Sequence, residues 1–358
     1  MPMRPRQGGR CNGTRFSHGS PAARAVRIYS LFRRCPLLRR SPARGVGFSP
    51  HRRIGLRAPL DAMRFDPVEI PYTFIRYAPG EVFRRTGRSA CPFEEDDMDR
   101  PHPAPLLRDD RDGVATLRLN RPSQFNALSE ALLDALQREL AVLAGDPHVR
   151  CVVLAAEGRA FCAGHDLREM RGTPDLAYYR GLFGQCSRVM QAIRALPVPV
   201  VARVHGIATA AGCQLVASCD LAIAADTARF AVSGINVGLF CSTPAVALSR
   251  NVSAKRAFDM LVTGRFIDAA TAVDWGLVNE AVPQDALDAA VARTVAAIAS
   301  KSPRAVRYGK AMFYRQRQMP LDDAYAYACD VMARNMMEED ACEGIDAFLD
   351  KRPPRWRT

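Results

Sequence analysis

His205-Gly206-Ile207-Ala208-Thr209-Ala210-Ala211-Gly212-Cys213-Gln214-Leu215-Val216-Ala217-Ser218-Cys219-Asp220 organises the rest of this chain. The apolar residues 198–204 lead into it and predict a buried strand. Gly206 ends that strand, and Ala208, Ala210, Ala211 and Gly212 make a turn of very small residues. Residues 214–217 predict the opening of a helix, and residues 221–224 the next strand. Small residues at a strand-to-helix turn let a ligand approach bare backbone N–H groups. At a helix N-terminus those groups carry partial positive charge that favours an oxyanion. The same pattern also suits a tight packing turn in an α/β protein.

A second turn of the same kind favours the functional alternative. Residues 151–155, Cys-Val-Val-Leu-Ala, form an apolar, β-branched strand, and Arg159-Ala160-Phe161-Cys162-Ala163-Gly164-His165-Asp166-Leu167 follows it. Two such turns can aim two N–H groups at one oxygen. That geometry stabilises an enolate or a tetrahedral oxyanion, and one such donor is worth roughly 3–4 kcal/mol.

Five blocks now stand in order: Leu119-Asn120-Arg121-Pro122, Phe161 to Leu167, the central turn, Leu261-Val262-Thr263-Gly264 and Trp275-Gly276-Leu277-Val278. In order and spacing they resemble the crotonase (enoyl-CoA hydratase/isomerase) superfamily, from about Val114 to Trp356. The resemblance implies an α/β fold, a crotonase-type ββα spiral with a C-terminal helical trimerisation region. It divides the chain into an extension over residues 1–105, a spiral core over 106–255 and a helical region over 256–358.

In the family, two backbone N–H groups hold the thioester oxygen of an acyl-CoA. The resemblance assigns these to His165 and Ala211, with Ala163, Gly164, Asp166, Leu167 and Gly212 as substrate-binding surroundings. The position of Ala211 is often glycine in the family, so alanine requires a negative φ there. No other cofactor is implied, since the CoA thioester is itself substrate or ligand, and no metal.

The acid and base depart from the pattern. Family hydratases carry glutamates where this chain has Gln214 and Gly234. Adding water to a double bond needs a base and an acid, each contributing roughly 10²–10⁴-fold. Glutamine can orient water but does not titrate in this range, and glycine does neither. His205, near the presumed site with an ordinary pKa near 6.5, is the first candidate replacement, against a structural role for a lone histidine.

The chain has 358 residues, 48% apolar and 24% charged, as in soluble globular proteins. No apolar run reaches the roughly 18–20 residues of a transmembrane helix, so no membrane partner is expected. Residues 1–60 hold 14 Arg and no Asp, Glu or Lys. That composition suits a transit peptide into the mitochondrial matrix. With only 4 Lys against 46 Arg in the chain, it equally suits GC-rich DNA upstream of a true start at Met63 or Met98. A bacterial protein of that kind would be cytoplasmic. Residues 1–97 carry 19 Arg and 8 acids, while residues 98–358 carry 31 Lys plus Arg and 29 acids. The globular part is therefore nearly neutral, and a nucleic-acid partner is not expected of it. Residues 61–105 are proline-punctuated and read as a linker or disordered extension.

Cys162, Cys213 and Cys219 read as reduced core thiols, and no spacing suits zinc. Cys241, ahead of the helix start Ser242-Thr243-Pro244, reads as structural or as a thiol whose pKa a helix dipole lowers. Tyr178, Tyr179 and Phe183 open a helix to about Leu196 and serve either the core or the acyl pocket. Lys351 and Arg352 stand where the family places residues near the CoA nucleotide, or form a solvated tail. From Ser253 the spacing is mostly helical, and the resemblance implies a homotrimer or a dimer of trimers. Three functions remain open: an enzyme of fatty-acid metabolism with an altered acid/base set, a non-catalytic acyl-CoA binder, and an RNA-binding relative.

Overall fold

The structure is a computed structural model that describes residues 103–357, all within the unit Ala90–Thr358. The extension over residues 1–105, with its possible transit peptide and alternative starts, lies outside the described residues except for its last three.

Six strands form the main sheet in the order β1-β2-β3-β4-β6-β9: Leu106–Arg111, Val114–Leu119, Cys151–Ala156, Val200–Val204, Leu221–Ala225 and Glu280–Val282. The β1–β2 hairpin is antiparallel, and the remaining pairs are parallel. A smaller sheet joins β5 (Ile207–Thr209), β7 (Arg229–Ala231) and β8 (Ile267–Asp268). Strand β1 was not expected from the sequence, because Asp109, Asp110 and Arg111 hide its period.

Period-2 alternation divides the sheet into two faces. Val152, Leu154, Val200, Ala202, Val204, Ala222 and Ala224 join the large core. Helices α1 (Glu130–Gly145), α3 (Leu176–Ala195) and α4 (Ala211–Ser218) pack residues into the same core. Cys151, Val153, Val201, Ile223 and Ala225 face the other way, against Leu287, Ala290, Val291 and Val295 of α8 (Leu287–Ala299). Buried on both faces, β3 reads as a continuous apolar run. Ser129 caps α1 by accepting the Leu132 N–H at 3.2 Å, and Leu132, Leu133, Leu136, Leu140 and Leu143 face the core as their spacing predicts.

Helices α6 (Ala254–Thr263), α7 (Ala269–Asp274), α9 (Pro303–Gln316), α10 (Leu321–Met336) and α11 (Glu339–Leu349) make the C-terminal region helical, as the spacing predicts. It is not separate from the core. Strand β9 extends the main sheet and α8 covers its second face, so the division at 255/256 runs through one packed body.

Lys310 on α9 ties this region down. Its Nζ donates to Ile193 O at 3.0 Å, Val198 O at 2.8 Å and Asp220 Oδ2 at 2.6 Å. Asp220 also accepts the Val200 N–H at 2.7 Å. Both charges are buried, so removing one strands the other. Lys310→Ala is expected to cost about 3–5 kcal/mol. At about 2–4 °C per kcal/mol for a domain of this size, thermal melting should show a clear drop, and Lys310→Ala with Asp220→Asn should recover part of it.

Candidate active site

The first turn is built from three directions. After β3, Cys162 bridges in parallel to Ala208, with Cys162 N donating to Ile207 O at 3.1 Å and Thr209 N to Cys162 O at 3.0 Å. From the other side, Leu128 N donates to Gly164 O at 2.7 Å and Ala163 N to Phe125 O at 3.0 Å. Phe125 and Asn126 both hold left-handed backbone, at φ 53 and 55. The buried Asn126 side chain fixes that bend by donating to Glu157 O and Ala160 O, each at 2.8 Å, and accepting Arg121 N–H at 2.8 Å. Asn126 is a scaffold residue that the sequence reading missed, and Arg121, quoted there only as part of a block, is scaffold too. An asparagine between apolar neighbours, six residues past Asn120, was the available signal.

Asp166 also turns out to be scaffold. It accepts the Arg168 N–H at 3.1 Å to cap α2 (Leu167–Gly172) and pairs with Arg121 at 3.1 Å. Leu167, the first residue of α2, is exposed.

The second turn begins α4 three residues earlier than its sequence suggests, so Ala211 is the first helical residue. Ala211 is not among the positive-φ residues, which meets the condition alanine requires there. The unusual backbone falls one residue earlier, at Ala210, with φ 51 and ψ −120. Ala210 N donates to Ala231 O at 3.0 Å, holding this bend against β7.

The two turns touch through glycines. A Cβ on Gly212 would lie 2.7 Å from Cys162 C and 2.8 Å from Cys162 Cβ, and would overlap Cys162 O outright. Gly164 has φ +96, and a Cβ there would meet Ala210 Cβ at 2.9 Å and Ala211 N at 3.4 Å. Among the described residues, neither the His165 N–H nor the Ala211 N–H has a backbone acceptor. Two unspent donors thus stand on adjoining turns, one at a helix start.

The family profile for enoyl-CoA hydratase/isomerase matches residues 109–358. The chain belongs to that family. It is 45% identical over 244 residues to the mitochondrial enoyl-CoA hydratase domain-containing protein 3 of Xenopus laevis, covering 68% of this chain and 83% of that one. A crystal structure of an enoyl-CoA hydratase from Mycobacterium smegmatis superposes with TM-score 0.70 at 60% identity, over 71% of this chain and 99% of that one. That of human enoyl-CoA hydratase domain-containing protein 3 gives 0.69 at 44% identity, over 70% and 100%. The crotonase-type fold is thereby established, and within the family this chain is similar to the domain-containing protein 3 branch.

Against that family frame, the two departures take physical form. Gln214 lies buried in α4, and its Oε1 has no hydrogen-bond partner. Gly234, in the 3-10 turn Ser233–Val237, has no positive φ. A Cβ there would nevertheless stand 2.5 Å from Leu239 O and 2.7 Å from Cys241 Sγ. Gly234 O accepts Leu239 N–H at 3.0 Å and Gly234 N donates to Cys241 Sγ at 3.3 Å, so the loop has closed over the place a side chain would need. Thr209 Oγ1 and Ser233 Oγ, 2.6 Å apart, pair beside this loop and were not anticipated. The Cys241 thiol is structural, since burial pushes its pKa up despite the following helix, α5 (Ser242–Leu248).

His205 is placed away from these turns. It shares its parity on β4 with Val201 and Arg203, on the α8 face. Its Nε2 donates to Gly158 O at 2.8 Å, and its Nδ1 faces Arg203 Nη1 at 3.3 Å, which fixes the neutral tautomer. Arg203 in turn pairs with Asp288 at 2.5 Å. With both nitrogens engaged, and burial and Arg203 lowering its pKa, His205 is a structural residue rather than the replacement acid/base.

His165 is the histidine that the site does contain. Its ring meets Phe183 edge-on, with centroids 5.3 Å apart, and both ring nitrogens are buried without partners. The nearby Leu128 carbonyl accepts from Asp166 N instead. Burial pushes the ring pKa down to about 4, so it is neutral near pH 7. Phe183 stacks on Tyr179, and both pack on the core. Tyr179 donates to Met170 O and Tyr178 to Glu130. Arg352 is committed to Glu343 through two bonds of 2.7 and 2.9 Å, and Lys351 remains exposed.

Two outcomes follow from this geometry. Gly212→Ala is expected to destabilise the fold by about 1–3 kcal/mol through overpacking, with CoA-ester affinity falling in calorimetry as the turns separate. The His165 proton is bound near pH 6.5 in the unfolded chain but only near about 4 in the folded one. Between those values the unfolded state holds more protons, so stability falls as pH drops, by up to about 3 kcal/mol. His165→Phe keeps the ring contact and should flatten part of that acid limb in melts run from pH 7 to pH 4.

Proposed function

We propose that this chain binds the thioester of an acyl-CoA, with the carbonyl oxygen between the His165 and Ala211 N–H groups. The carrying observation is the pair of unspent donors on turns held together by Gly164 and Gly212. Such donors stabilise an enolate or a tetrahedral oxyanion more than the neutral carbonyl. The enoyl-CoA hydratase relatives and the family profile support a place in fatty-acid metabolism.

Hydration is a poor fit to the remaining groups. Gln214 does not titrate, Gly234 carries nothing, and His165 is neutral and unpartnered. Chemistry that needs only oxyanion stabilisation is compatible with this set. The second function, a non-catalytic acyl-CoA binder, draws specific support from the Leu239 carbonyl, which occupies the space a glutamate at 234 would require. Exposed Leu321, Tyr325, Met332 and Phe348 on the C-terminal helices support a homotrimer or a dimer of trimers. The mitochondrial relatives support a matrix location with residues 1–60 acting as a transit peptide; the alternative is a cytoplasmic bacterial protein.

Calorimetry with butyryl-CoA and free CoA tests the binding site. The thioester should bind more tightly, and equal affinities would remove the oxyanion argument. Crotonyl-CoA absorbance should decay very slowly with the natural protein. Gln214→Glu alone should add little, because one carboxylate lacks its partner. Adding Gly234→Glu should lower the melting temperature rather than restore turnover, since its Cβ meets the Leu239 backbone. Hydration at tens per second by the natural protein would contradict the loss of acid and base.

A further inference from the structure

The parallel strands put the thioester site at their C-terminal ends. At the opposite end, the β1–β2 turn, the loop into β3 and the start of α9 enclose a cavity of about 670 Å³. Four arginines line it, Arg150, Arg304, Arg307 and Arg357, against two carboxylates, Asp112 and Glu338. Arg304 is neutralised by Glu338 at 2.5 Å, and Arg357 pairs with Glu339 outside the cavity lining.

Arg150 and Arg307 are different. Arg150 Nη2 donates to Ala299 O at 3.0 Å and Lys301 O at 2.5 Å, and Arg307 Nη2 donates to Pro147 O at 3.1 Å. Backbone carbonyls therefore hold both guanidiniums in place, and among the described residues no carboxylate pairs with either. Arg307 Nε is buried with no partner at all. Burial lowers the Arg150 pKa, the nearby buried Asp340 carboxylate works against that, and repulsion from Arg307 adds to the lowering. Asp340 offsets part of the charge on Arg150, but both guanidiniums are held by backbone carbonyls and the Arg307 Nε–H is left over, so an anion's oxygens can be received here. At the start of α9 the Ser302 hydroxyl accepts the Ala305 N–H and donates to the buried Asp340, whose carboxylate already answers the helix potential. Asp112 and the buried Asp340 oppose, so the attraction rests on Arg150 and Arg307.

We infer that this cavity is an oxyanion site for a phosphate group, inorganic or a phosphate monoester, held between Arg150 and Arg307. A phosphate dianion offers enough oxygens for two guanidinium forks, whereas a single carboxylate satisfies one. The site lies at the far end of the sheet from the two turns, so a ligand here leaves the thioester site open.

The test is calorimetric titration of the full chain with inorganic phosphate and, separately, glycerol 3-phosphate, at fixed ionic strength. Either probe should bind and raise the melting temperature. Arg307→Gln should weaken it roughly tenfold to a hundredfold, the range expected for lost hydrogen bonds between charged partners. Arg307→Lys keeps the charge but loses the fork and should fall between. Arg307 is the position to change because Arg150 also ties β3 to the end of α8 through Ala299 O. Butyryl-CoA affinity should be unchanged in both variants. No binding of either probe to the natural chain, equal binding in all three proteins, or a parallel loss of butyryl-CoA affinity would each overturn the assignment.

Discussion

Helix α4 reaches the Cys162–Gly164 turn only because position 212 has no side chain. A single Cβ there would overlap the Cys162 carbonyl, and that carbonyl cannot yield, since it already accepts the Thr209 N–H at 3.0 Å. The contact sets the whole local geometry. It brings a helix N-terminus against a second turn, and the first N–H of the helix is left without a backbone acceptor. A wider separation would let a polypeptide carbonyl or a water satisfy that donor, and the preorganised charge would be lost.

Holding two turns this close requires unusual backbone nearby. Phe125, Asn126 and Ala210 are three non-glycine residues at positive φ, all within reach of the site. Each costs on the order of 1–3 kcal/mol and persists only where surrounding bonds over-determine it. Asn126 shows how, with three side-chain hydrogen bonds to three separate backbone groups. Ala210 is held by its bond to Ala231 and by contact with Gly164. Strain concentrates around the oxyanion donors and is offset by ordinary sheet and helix packing elsewhere.

The sequence disclosed the strands and the two turns because burial and small residues leave local signatures. Residues 151–156 are apolar throughout, and alanines and glycines crowd positions 206–212. The side to which a residue points is less legible. His205 looked close to the site because it is adjacent in sequence, but the parity of β4 puts residues 201, 203 and 205 on the α8 face. The start of α4 was misplaced for a related reason. Small residues carry no helical period, so the helix showed itself only from Gln214. Asn126 acts through backbone carbonyls contributed by residues more than thirty positions away, which no local pattern displays.

Glutamine at 214 and glycine at 234 differ structurally as much as chemically. Replacing a carboxylate by glutamine at 214 alters one side chain inside an intact helix. Glycine at 234 has let the backbone move in, with the Leu239 carbonyl 2.5 Å from where a Cβ would stand and Cys241 Sγ accepting the Gly234 N–H. The two positions therefore differ in reversibility. A carboxylate can return to 214 without disturbing the fold, whereas its return to 234 must first push back a loop that has made its own hydrogen bonds. The two unspent N–H donors belong to the backbone of other segments, so the loop around Gly234 leaves them in place. The donors on the two turns and the groups at 214 and 234 are therefore structurally independent, and the backbone around Gly234 keeps them so.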